Sequence, residues 1–182
     1  MHLSYAQIPR RKWNTVNLED VFRFVSPDVR DAALQSAAQL RYLGIRFALA
    51  GGLAVGAHGY VRATQDVDFL VGDEAFEHHG ALVTFKAGVP IEVGGIRIDY
   101  LSASALGQHL TTALEQKGDS LPVVPLPALV FLKLLANRRK DQLDVVELLR
   151  VGGNARATRE YLELHASDYL STFEELLKEA QE

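Results

Sequence analysis

A glycine pair followed, across one short helix and a loop, by two alternating aspartates limits this chain more than any other feature in it. Phe47-Ala48-Leu49-Ala50 is a short apolar run of strand character, and Gly51-Gly52 stops it. Leu53 to His58 are mostly small or helix-favouring residues, with Gly59 as terminator. Asp66-Val67-Asp68-Phe69 then alternates polar and apolar, the period of a half-buried strand, and Leu70-Val71 extends it. The predicted unit is strand, glycine turn, helix, loop, strand.

That order has chemical consequences. Residues two apart on a strand point the same way, so Asp66 and Asp68 share a face with Cα atoms roughly 6.6 Å apart. Carboxylates about 5 Å apart repel by roughly 3 kcal/mol at an effective dielectric of ~20. Such a pair requires a proton, an Arg or Lys, or a divalent cation. Oxygen-only ligands favour Mg²⁺ or Mn²⁺ over zinc. Gly51-Gly52 lets a phosphate approach bare backbone N–H groups. An anion cradle beside a cation clamp suggests a nucleoside triphosphate.

Gly51-Gly52, then Asp66-x-Asp68, then a later strand aspartate resembles the nucleotidyltransferase superfamily, which has the DNA polymerase β-like fold. The fuller string Gly-Gly-x-Ala, His-Gly, Arg-x-Thr-x-Asp-x-Asp resembles its branch of AbiEii-type toxins and minimal bacterial nucleotidyltransferases. The resemblance lies in four separated pieces between Ile45 and Leu149; the third is Asp99, and the fourth is Lys133 with Arg139-Lys140-Asp141-x-x-Asp144. It implies that Asp66, Asp68 and Asp99 hold Mg²⁺ or Mn²⁺ and are catalytic. It further implies that Gly51 and Gly52 cradle the phosphates, with Arg62, Thr64 and Lys133 steadying them. Gly52 stands where many members of the superfamily have Ser, and the chain is shorter than expected of AbiEii-type toxins.

Composition sets the bounds. The 182 residues, 48% apolar, suffice for one core with a helical extension. A net charge of −4 gives no global signal for nucleic acid, and the N-terminal basic run Arg10-Arg11-Lys12 beside Trp13 reads as a solvated tail. Without cysteine there are no disulfides or thiolate metal sites, which fits a cytoplasmic protein. No apolar run approaches membrane-spanning length, and none resembles a signal peptide, so no membrane partner is expected.

In chain order, residues 1–16 read as an irregular arm, and Asn17 caps a short helix through Phe24. Ser26-Pro27 opens a longer helix with the stripe Val29, Ala33, Leu34, Ala37, Leu40 and Leu43, ended by Gly44. Beyond the aspartate strand, Glu74 to Gly80 suggests a short helix whose adjacent His78 and His79 point about 100° apart, a surface pair rather than a metal site. Leu82–Phe85 reads as a strand, with Ala87-Gly88 as a turn. Pro90–Val93, Gly94-Gly95 and Ile96–Leu101 read as a hairpin, with Arg97, Asp99 and Leu101 on one face of its second arm. Ser102–Lys117 is helical in pattern, with Leu106, Leu110, Ala113 and Leu114 on one face.

A connector rich in proline (Pro122, Pro125, Pro127) then leads to a helix from Pro127 carrying Lys133 in an apolar run. A buried lysine demands an anion, either a triphosphate or an aspartate of the chain. If the helix runs on unbroken, Lys133, Asn137, Lys140 and Asp144 share one face, and Arg138-Arg139-Lys140 is an exposed charged turn. Gly152-Gly153 breaks it. Asn154 caps a helix to His165, and Ser167-Asp168 caps a last one with the stripe Leu170, Phe173, Leu176, Leu177.

The expected fold is α/β (α+β): a small mixed sheet with flanking helices in residues 1–121, and a helical subdomain in 122–182, forming one compact unit. The expected activity, from the resemblance, is transfer of a nucleotide from a triphosphate such as ATP to an acceptor hydroxyl of tRNA, protein or a small molecule. A cognate antitoxin is the implied protein partner. Two alternatives stay open: a binding module of the same fold without turnover, and a structural domain whose acids pair with Arg62 or Lys133.

Overall fold

The computed structural model describes residues 18–77, 88–114 and 121–182. The expectations for the N-terminal arm, Arg10-Arg11-Lys12, Trp13, the Asn17 cap, His78-His79, the Leu82–Phe85 strand and the end of the Ser102–Lys117 helix lie outside those residues.

The architecture is mixed α/β, as the pattern of apolar residues predicts. Helices α1 (Leu18–Phe22) and α2 (Pro27–Tyr42) precede β1 (Phe47–Leu49), α3 (Gly51–Ala57), β2 (Asp66–Val71) and α4 (Glu74–Glu77). The hairpin β3 (Ile91–Val93) and β4 (Ile96–Ser102) follows, then α5 (Ala103–Leu106) and a 3₁₀ helix, Gln108–Leu114. The chain ends in α6 (Leu126–Ala136), α7 (Arg139–Arg150), α8 (Ala155–His165) and α9 (Leu170–Gln181), with a 3₁₀ turn at Ser167–Tyr169.

Among the described residues there is one 4-stranded sheet, ordered β1-β2-β4-β3. β1 runs antiparallel to β2 and β3 antiparallel to β4, while β2 and β4 are parallel. The β3–β4 turn is formed by Gly94 and Gly95, both at positive φ (59° and 78°), a geometry that pairs Val93 with Ile96. Alternation along β4 follows the sequence pattern. Ile98 and Tyr100 are buried against α2, whereas Arg97 is exposed and Asp99 and Leu101 are half-buried on the opposite face.

Capping explains where helices begin. The Ser26 hydroxyl accepts from the Val29 N–H at 3.3 Å with Pro27 in the first turn, and Asn154 caps α8 by accepting from the Ala157 N–H at 3.0 Å. Three local expectations are corrected. Leu34 is 46% exposed, because it lies about 100° round the helix from Ala33, and Ala32 takes its place in the buried stripe. The Ser102–Lys117 pattern breaks at Gly107, where α5 ends and the chain tightens into the 3₁₀ helix. The run from Pro127 is not continuous. Asn137 takes a left-handed conformation (φ 49°) that ends α6 one residue before the start of α7's cap at Arg138.

The connector is woven into the sheet. The Leu49 N–H donates to the Pro122 carbonyl at 2.7 Å, and the Leu49 carbonyl accepts from the Val124 N–H at 2.9 Å. His58 Nε2 donates to the Val124 carbonyl at 2.8 Å, and burial lowers the pKa of that imidazole. Leu49, Phe69, Leu129, Leu148 and Phe173 belong to one continuous hydrophobic core. Among the described residues no helix is long and apolar enough to cross a membrane.

Candidate active site

The parallel pairing of β2 with β4 decides which side chains meet. Asp66 lies opposite Arg97 and Asp68 opposite Asp99, so acids from two distant segments share one face of the sheet. Asp66, Asp68 and Asp99 all line one cleft of about 450 Å³, together with Gly51, Gly52, Arg62 and Lys133. Thr64 does not line it. It is buried behind Asp66, and its hydroxyl donates to Asp66 Oδ1 at 3.0 Å.

Gly51 opens α3 directly against Asp68. It sits at φ 58°, and a Cβ there would collide with Asp68 Oδ2. Both the backbone twist and the space therefore require glycine. At Gly52 a Cβ would lie 2.6 Å from Thr64 Oγ1 and 3.3 Å from an Arg62 nitrogen. Thr64 thus occupies the volume a larger residue at 52 would need.

Asp68 is half-buried, and no hydrogen bond reaches its carboxylate among the described residues. Withdrawal from water, followed by the charges of Asp66 and Asp99, raises its pKa from 3.8 to about 6. Lys133 and Arg138 act in the opposite direction without cancelling this. Asp99 is held differently: Arg97 grips it with a two-pronged ion pair, Nε to Oδ2 at 2.9 Å and a terminal nitrogen to Oδ1 at 3.0 Å.

The opposite wall carries a buried ion network. Lys133 Nζ lies 2.9 Å from Asp141 Oδ1 and 2.8 Å from Asp144 Oδ2. Arg62 grips Asp144 at 2.6 and 2.8 Å, and Arg138 reaches Asp141 at 2.6 Å. Burial works against the Asp141 carboxylate, yet Arg138 and Lys133 outweigh it and hold its pKa below the ordinary value. Burial likewise opposes the charge on Arg62, and Asp144 more than restores it.

The break at Asn137 makes this network possible. Folding α7 back against α6 brings Asp141 and Asp144, one turn apart, onto the buried lysine. The face expected of an unbroken helix does not form. Asn137 is exposed, and its side chain accepts from Gln142.

Sequence reasoning passed over four residues here. Asp141 is expected only from the resemblance, and Asp144 from it and from the face of an unbroken helix, although two acids spaced i, i+3 among Val145, Val146 and Leu148 signal a buried pair awaiting a cation. Arg138 and Lys140 are exposed, as a charged turn should be, but both line the cleft. Arg62 and Lys133 are committed to Asp144 and Asp141, so the structural alternative that paired them with the Asp66, Asp68 and Asp99 cluster is not what the chain adopts.

Among the described residues no three His, Asp or Glu side chains are gathered as a ready-made metal-binding group. The donor set nevertheless fits a hard divalent cation: oxygen ligands only, and one carboxylate without a hydrogen-bond partner among the described residues, its pKa raised by burial first and like charges second. Compared with known proteins, the chain matches no family model and no curated protein.

Proposed function

We propose that this protein is a metal-dependent nucleotidyltransferase, moving a nucleoside monophosphate from a triphosphate to an acceptor hydroxyl. One observation carries the reading. The register that sets Asp68 beside Asp99 puts acids of two strands on the floor of a cleft whose far wall holds cations. Mg²⁺ or Mn²⁺, held by Asp66, Asp68 and Asp99, would neutralise the reacting phosphates and acidify the attacking hydroxyl.

The chain's own residues supply the rest. Gly51 and Gly52 let the Asp68 carboxylate and the Thr64 hydroxyl close against the start of α3, and the two glycines line the cleft where the phosphates would lie. Arg62, Lys133 and Arg138 outnumber the Asp141 and Asp144 carboxylates they pair with and leave the wall net positive, with Thr64 steadying Asp66 from behind. Asp99 accepts the proton of the acceptor hydroxyl as its oxygen bonds to the α-phosphorus. The bond from that phosphorus to the bridging oxygen breaks, and pyrophosphate leaves.

The AbiEii-like string extends the proposal to a toxin with a cognate antitoxin and a tRNA, protein or small-molecule acceptor. The test is incubation with each labelled nucleoside triphosphate, Mg²⁺ and cell extract. Label should pass to an acceptor with release of pyrophosphate, and Asp68→Asn should abolish it; unchanged turnover in that variant refutes the assignment.

The Arg97–Asp99 ion pair favours a second reading, a module that binds nucleotide without turnover. Mg²⁺-dependent nucleotide binding with no pyrophosphate release identifies it.

A further inference from the structure

Among the described residues, Arg97 is the one basic residue that the register places among the acids of this sheet face. It lies opposite Asp66 on β2 and Glu92 on β3, two residues before Asp99 on its own strand. Strand geometry puts all of these on the same side as Asp68. Of the acids within reach, the guanidinium is committed to Asp99, and it engages both oxygens. Its side chain is 59% exposed while that of Asp99 is 17% exposed, so the arginine enters from the solvent side and covers the carboxylate. An ion pair open to water on one partner contributes little net stability and is readily exchanged.

We propose that Arg97 is the resident counter-ion of the acid cluster: it occupies Asp99 until a divalent cation arrives, and then turns to the phosphates of the nucleotide. This rests on the metal and nucleotide reading above. Asp66, Asp68 and Asp99 sum to three negative charges when ionised, of which Arg97 offsets one. A divalent cation offsets the other two, repels the guanidinium and draws the same carboxylate oxygens. The released side chain stands at the cleft wall, where a flexible fork of N–H donors matches phosphate oxygens. Arg97 is a positioning residue for Asp99 first and a phosphate contact second.

The experiment is titration with Mn²⁺ alone, read by the electron paramagnetic resonance of the free ion, on the full chain and on R97Q, D68N and R97Q/D99N. Circular dichroism checks that each variant is folded. A unit charge repelling a divalent cation across roughly 6 Å of watery surroundings corresponds to about tenfold in affinity. R97Q should therefore bind Mn²⁺ about tenfold more tightly than the unaltered protein, and R97Q/D99N should lose the gain. A merely structural role for Arg97 predicts the opposite sign. With Mg²⁺ and a non-hydrolysable triphosphate analogue, R97Q should bind the nucleotide several-fold more weakly.

If the unaltered protein binds Mn²⁺, D68N loses it and R97Q shows no gain, the counter-ion proposal is overturned and the metal reading stands. If neither the unaltered protein nor R97Q takes up Mn²⁺, the metal reading falls and carries this proposal with it. A gain in Mn²⁺ affinity with no loss of analogue affinity overturns the move to phosphate.

Discussion

Asp68 concentrates the tension of the site in one carboxyl group. Its pKa in the fold, about 6, exceeds the ordinary 3.8, so through the window between them the native state keeps a proton that the unfolded chain has released. Stability therefore falls as pH rises through that window, and the ionised group weighs against the metal-free fold at neutral pH. Asp68→Asn should raise the metal-free protein's stability by about 1–3 kcal/mol at pH 7, with the gain vanishing near pH 4. Urea denaturation at the two pH values measures it. A loss of stability at pH 7 would contradict the proposed electrostatics. The alternation of Asp66 and Asp68 was legible because a strand's period is two. Arg97's attachment to Asp99 was not, since Glu92 and Asp66 stand opposite the same residue and sequence cannot rank them.

At the scale of elements, α6, the turn at Asn137 and α7 act as a clasp around Lys133. Its members are not equivalent. Removing Lys133 leaves Asp141 with Arg138 and Asp144 with Arg62, whereas removing Asp144 strips Arg62 of its carboxylate and Lys133 of one of two. Asp144→Ala should cost about 3–5 kcal/mol, the range for breaking a buried pair, and Lys133→Met distinctly less. Denaturant midpoints of the two variants decide it, and equal losses would mean the network does not share charge as described. The helices themselves were legible from apolar spacing, and the α8 cap from Asn154. The break before α7 was missed, because Asn137, which takes the left-handed turn next most readily after Gly, falls in step with the helical spacing of Lys133, Lys140 and Asp144. A continuous-helix reading then carried Asp141 and Asp144 away from the lysine they serve.

For the molecule as a whole, the sheet floor and the helical wall of the cleft come from opposite halves of the chain, so filling the cleft braces both. Mg²⁺ with a nucleoside triphosphate at about a hundred times its Kd should add roughly 2.7 kcal/mol to the stability. For a chain of this size that raises Tm by about 5–10 °C. A thermal melt of the unaltered protein and Asp68→Asn measures it, and an equal rise in both would place the ligand elsewhere. The α/β class was readable in advance, since it rests on local periodicity; the assembly of the cleft depends on which strands pair, which is a property of the whole.

The stitching of Leu49 to Pro122 and Val124 has a bearing on how this chain can be divided. The segment before α6 serves as a selvedge for β1, sealing polar groups that would otherwise invite a foreign strand. A boundary drawn at the prolines would unravel the border that both halves share.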